Sequence, residues 1–157
     1  MGEGRRNRFD WLSRGNLEYL WRSSLRNQRE LKILFIDQPA HSSLLCSFLE
    51  QKGLQVHTCS GAQEGFDFLD KEEIDLIVLN LILEHGISGY EMCQQLKENP
   101  KTQGIPIILL CNTRLPREIE RAHRNELQTD DLFSKPVDPG ELYRAIKRLI
   151  APSLGAC

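Results

Sequence analysis

The chain has 157 residues, 40% of them apolar and 27% charged, with a net charge of −2, which is enough for one domain with a proper core plus an appendage. That balance makes no case for direct nucleic-acid binding, and no run approaches the roughly 18–20 apolar residues of a membrane span. The first ten residues are polar and Arg-rich and lack a signal peptide's apolar core, so the expected location is the cytoplasm.

The charge is uneven along the chain. Residues 1–30 carry seven Arg against Glu3, Asp10, Glu18 and Glu30, a net +3, and the remainder carries −5. Within this basic arm Leu17, Leu20, Trp21 and Ser24 fall at i, i+3, i+4 and i+7, with Asn16 in capping position, so the spacing predicts a helix. Tyr19, Arg22, Arg26 and Arg29 take its other sides. Trp11 and Trp21 lie outside the pattern that follows and need burial. The arm folds back on its own domain, meets a protein partner or a second copy, or lies on a membrane surface. The candidate partner-binding residues are Trp11, Leu17, Leu20, Trp21 and Arg22.

From Leu31 onward, short apolar runs alternate with helical patterns. "KILFID" (Lys32 to Asp37) is a continuous apolar run ending in an acid. His41 to Gly53 is amphipathic, with Leu44, Leu45, Phe48 and Leu49 on one face and Gly53 as a stop signal. Leu54 to Ser60 alternates like a strand nearer a sheet edge. Ala62 to Glu73 reads as a helix with Phe66 and Leu69 inward, and Ile74 to Asn80 as a buried strand. Gly89 to Pro100 is a helix with Met92, Cys93 and Leu96 on one stripe, ended by Asn99-Pro100. Ile105 to Asn112 is a second buried strand, and Pro116 to Leu127 a largely polar helix with Pro in its first turn. Asp131 to Pro136 is a last short strand, and Asp138 to Ala151 a closing helix with Leu142, Ala145, Ile146 and Leu149 inward.

Five β-α units in about 120 residues make an α/β fold, a doubly wound five-stranded parallel sheet with helices on both faces. Continuous apolar strands are what burial on both sides demands. The functional crevice of such a sheet lies outside the carboxyl ends of its strands. Here those ends hold Asp37, Asn80, Cys111 and Lys135.

These four positions, together with "LNLILEHGISGYE" and "DDLFSKPVDPGEL", make residues 31–151 resemble the receiver domain of bacterial two-component response regulators, a flavodoxin-like sheet of order 2-1-3-4-5. Residues 1–30 then form the arm and 152–157 a tail. The resemblance implies a site in which paired acids after the first strand hold Mg²⁺ together with a phosphoacceptor Asp after the third. A Ser or Thr after the fourth strand and a Lys after the fifth contact the phosphoryl group. A carboxylate oxygen is nucleophilic enough to attack phosphorus where a neutral carboxamide is not, and the crowded carboxylates want a hard divalent ion.

This sequence departs from that pattern at almost every step. Asn80 stands at the phosphoacceptor position, and an amide does not form a stable phosphoryl adduct. The paired acids reduce to Asp37 followed by Gln38, in a register ambiguous by one residue. Cys111 replaces the hydroxyl residue, Leu132 the usual aromatic, and Gln128-Thr129 the usual Gly-Ala. Lys135-Pro136 survives, as a candidate cis peptide. One carboxylate and one ammonium are expected to satisfy each other without metal, as an internal Asp37–Lys135 contact, with Asn80 as a structural amide capping its loop.

The four histidines are scattered without metal spacing, and no GxSxG, GxGxxG or P-loop occurs. The five cysteines show no CxxC and no paired spacing and are expected to be free thiols, four of them in or near the core. Six residues follow Ala151, so the expectation is no DNA-binding domain, with any effect on transcription exerted through another protein. The sequence therefore reads as a pseudo-receiver, a non-enzymatic protein-interaction module without cofactor or metal, acting as a regulator or subunit of a larger assembly. The alternative is a sensor that switches through oxidation of a cysteine such as Cys111, or through a small ligand in the vacated crevice.

Overall fold

Five short strands carry the structure: β1 (Lys32–Ile36), β2 (Gln55–Cys59), β3 (Leu76–Asn80), β4 (Ile107–Cys111) and β5 (Asp131–Ser134). They alternate with helices α1 (Pro39–Gln51), α2 (Ala62–Lys71), α3 (Gly89–Glu98) and α4 (Pro139–Gly155). The structure is a computed structural model and describes residues 30–111 and 129–155. The expected helix at 116–127 and the arm with Trp11, Leu17, Leu20, Trp21 and Arg22 lie outside the described residues. Leu31–Ile150 forms one compact unit.

All strands pair in parallel, in the order β2-β1-β3-β4-β5. The apolar runs explain why. β3 and β4 are buried at every residue, as central strands covered on both faces must be. β2, at the edge, is half-buried over its first three residues, exposed at Thr58 and buried at Cys59. Leu34, Ile36, Ile77, Leu79, Ile107 and Leu109 pack on one face with Ala62 of α2 and Met92, Cys93 and Leu96 of α3. Their neighbours Ile33, Phe35, Leu76, Val78, Ile108 and Leu110 point the other way and are equally buried, as are Leu45 and Leu49 of α1 and Leu142 and Ile146 of α4.

Two aspartates fasten strand starts on the side remote from the crevice. Asp75, just before β3, accepts from the backbone N–H of Lys32 at 2.8 Å. Asp130, just before β5, accepts from the N–H of Ile107 at 2.8 Å and from Lys97 Nζ at 3.3 Å. Each side chain satisfies a donor that the parallel ladder leaves open.

Helix boundaries follow local chemistry. Ser88 caps α3, its Oγ accepting from the N–H of Glu91 at 3.1 Å. Asp138 caps α4 the same way toward Glu141, with Pro139 in the first turn. Gly53 follows α1 at φ +90°, with its N–H on Glu50 O and that of Leu54 on Leu49 O, so the left-handed stop calls for glycine.

One residue expected in the core lies outside it. Leu44 is 84% exposed, and the buried stripe of α1 is Ser42, Leu45, Cys46 and Leu49. Ser42 can go inward because its Oγ donates back to Gln38 O at 3.2 Å, which leaves no hydroxyl unpaired.

Candidate functional site: the crevice at the carboxyl ends of the strands

Parallel register brings the strand ends together. Asn80 pairs with Leu110, Cys111 with Ser134, and the N–H of Lys135 continues the ladder onto Cys111 O at 2.7 Å. Asp37 follows β1 directly, its N–H on Cys59 O at 3.0 Å, and Gln38 is the residue before α1. Asp37 thus stands at the strand end with Gln38 beside it. The Lys135–Pro136 peptide is cis.

Asp37 is the hub. Its side chain is 1% exposed. Oδ1 accepts from the backbone N–H of Gln38 at 2.7 Å and from Asn80 Nδ2 at 2.9 Å, and Oδ2 accepts from Lys135 Nζ at 2.6 Å. The ion pair crosses from the end of β1 to the end of β5, over the ends of β3 and β4. Asn80 is 4% exposed, and its Oδ1 has no hydrogen-bond partner among the described residues. The expected loop cap is thus replaced by something else: the amide of Asn80 donates sideways to Asp37 instead of holding its own loop. That orientation follows from electrostatics, since the opposite one would turn Oδ1 toward a carboxylate.

Glycine sets the approach of α3. A Cβ on Gly89 would lie 2.0 Å from Asn80 O, while the N–H of Gly89 donates to Leu81 O at 2.9 Å. Only a residue without a side chain lets α3 start directly over the end of β3.

Cys111 ends β4 with its Sγ 3.6 Å from Ser134 Oγ and 3.7 Å from Phe133 O. Ser134 is not among the residues that the sequence pattern singles out. Its position in "FSKP", one residue before Lys135, was the available signal. Cys46, Cys59 and Cys93 are buried and form no disulfide, and burial pushes each thiol up to about 11. His85 is largely exposed in the loop after Asn80, with Glu84 3.9 Å away.

Between residues 33 and 147 the chain matches the family model of the response regulator receiver domain. The chain belongs to that family. This receiver domain is 32% identical over 104 residues, 66% of its length, to the heme response regulator HssR of Staphylococcus epidermidis, of which it covers 44%. It spans about half the length of the curated relatives it matches. Among solved structures it is similar to the receiver domain of a signal transduction histidine kinase from Syntrophus aciditrophicus, with 31% identity, a TM-score of 0.68, and coverage of 76% of this chain and 89% of that one. It shares its fold, at 21% identity and TM-score 0.65, with the receiver domain of the sensor histidine kinase PA1611 from Pseudomonas aeruginosa PAO1, whose cleft coordinates magnesium; coverage is 78% and 99%. No described helix is long and apolar enough to cross a membrane.

The residues of this receiver's crevice do not fit such an ion. Magnesium asks for a near-octahedral shell of oxygens, anionic ones among them. Among the strand-end residues Asp37, Asn80, Cys111 and Lys135, Asp37 is the one carboxylate, and both of its oxygens are already hydrogen-bonded, one of them to an ammonium. No group of three His, Cys, Asp or Glu side chains able to hold a metal occurs among the described residues.

Proposed function

We propose that this receiver domain is a pseudo-receiver, a phosphorylation-independent protein-interaction module that regulates or forms part of a larger signalling assembly in the cytoplasm. It is non-enzymatic and needs no cofactor. The observation that carries this reading is Asn80. A neutral amide stands at the end of β3, buried and committed to Asp37 at 2.9 Å. Phosphoryl transfer to a receiver requires an anionic oxygen there, with a second carboxylate and a cation to gather the charge. Gln38 and Cys111 remove further parts of that machinery. What remains is a fold that presents surfaces.

The redox alternative draws no support from Cys46, Cys59 or Cys93. Thiols raised to about 11 hold almost no thiolate near neutral pH, and the thiolate is the form that oxidants attack.

The experiment is a pull-down with the intact chain, followed by titration of the captured partner with and without acetyl phosphate and Mg²⁺. Equal affinities are expected. An affinity that changes with the phosphodonor, and stops changing in Asn80→Ala, overturns the proposal.

A further inference from the structure

We infer that Lys135 is the resident cation of the crevice, and that it closes this receiver to divalent metal. The inference concerns the same site as the proposed function and rests on its reading of the crevice as vacated by phosphoryl chemistry, but it makes a separate claim, about ions.

Three observations carry it. The first is occupancy. The Asp37 carboxylate accepts three hydrogen bonds, at 2.7, 2.9 and 2.6 Å, from three different parts of the chain. About four acceptor positions are available on a carboxylate, so a metal would find one left, on Oδ2 beside the ammonium. The second is charge. With Asn80 and Gln38 neutral, the buried Asp37 carboxylate is matched one to one by the Lys135 ammonium 2.6 Å away. A divalent ion would bring a net +2 into a spot where the acceptor is 1% exposed and its charge is already matched by an ammonium. The third is the remaining oxygen. Asn80 Oδ1 is the one buried side-chain oxygen without a partner among the described residues. It is a single neutral ligand, where a hard cation takes six or more oxygens.

The ammonium does what the ion would otherwise do, in one respect. It neutralises Asp37 and ties the end of β1 to the segment after β5. Unlike an ion it is covalently part of the chain, so the tie does not depend on the metal concentration of the surroundings.

The test uses Mn²⁺ as the probe, on the full-length chain, read as paramagnetic broadening of backbone amide signals in nitrogen-15 spectra. In the native protein the signals of Asp37, Asn80 and Lys135 are expected to broaden no more than surface residues do. Restoring an acid alone, Asn80→Asp, is expected to leave binding weak because Lys135 still occupies the crevice. Combining Asn80→Asp with Lys135→Ala is expected to bring saturable broadening at Asp37 and residue 80, at least tenfold tighter than in Asn80→Asp. A spectrum of each variant recorded without metal establishes that it is folded. Saturable broadening at Asp37 in the native protein overturns the inference, and so does equal affinity in the single and double variants. Either result leaves the proposed function standing as long as partner affinity remains indifferent to acetyl phosphate, so the two claims fail separately.

Discussion

Replacing Asp37 with Asn changes one atom and should destabilise the fold. The carboxylate serves three donors, and an amide cannot serve them all. If the new oxygen stays toward Gln38 N–H and Asn80 Nδ2, the new NH₂ faces the Lys135 ammonium, donor against donor. If the group turns over, the oxygen meets Lys135 but two N–H donors lose their acceptor. Removing one partner of a buried ion pair costs about 3–5 kcal/mol. Lys135 is 17% exposed and has a long stem that lets the ammonium swing toward water, which lowers the expected cost to about 2–3 kcal/mol. For a domain of this size that is a drop in Tm of about 6–12 °C. Urea titration of the intact chain should show a lower midpoint with an unchanged slope. The double variant Asp37→Asn/Lys135→Met should cost less than the sum of the two singles, since the pair is lost only once. A Tm that is unchanged or raised by Asp37→Asn refutes the reasoning and makes Asp37 a strained functional relic.

Other consequences follow from single residues. Gly89→Ala should destabilise by about 1–3 kcal/mol or more in the same titration, because its methyl group meets Asn80 O with no space to spare. The thiols of Cys46, Cys59 and Cys93 have folded values near 11 against an ordinary 9.0. The unfolded chain therefore sheds protons first as the pH rises; stability from these groups is full below about 9 and should fall between about 9 and 11. Denaturant midpoints across that range check it, and Cys→Ser variants should flatten the slope. Trp21→Ala in the full-length chain should weaken partner capture at least tenfold, and high salt should weaken it further if the arginines of residues 1–30 rim the contact.

Much of the sheet was legible because burial on both faces leaves little choice of residue: "LIVLN" and "IILLC" fit nothing else at that length. Helix α1 was less legible. Leu44 and Ser42 both border the stripe of Leu45 and Leu49, and hydropathy alone favours Leu44. The structure chose Ser42, whose hydroxyl has a local acceptor in Gln38 O that no periodicity reveals. The Asp37–Lys135 contact could be anticipated because parallel strands deliver both residues to one rim. The direction in which Asn80 turns could not, since it depends on where a carboxylate 43 positions away places its lone pairs. Gly89 was read only as the start of a helix. Its role against Asn80 O appears once the loop between them is closed.

The central claim is that an amide at position 80 removes phosphoryl chemistry from this receiver, and intact-mass spectrometry tests it most directly. After incubation with acetyl phosphate and Mg²⁺, the native chain should keep its mass, and Asn80→Asp should gain little, because Gln38 and Cys111 still stand where an acid and a hydroxyl are needed. A phosphoryl adduct on the native chain that disappears in Asn80→Ala would contradict the account.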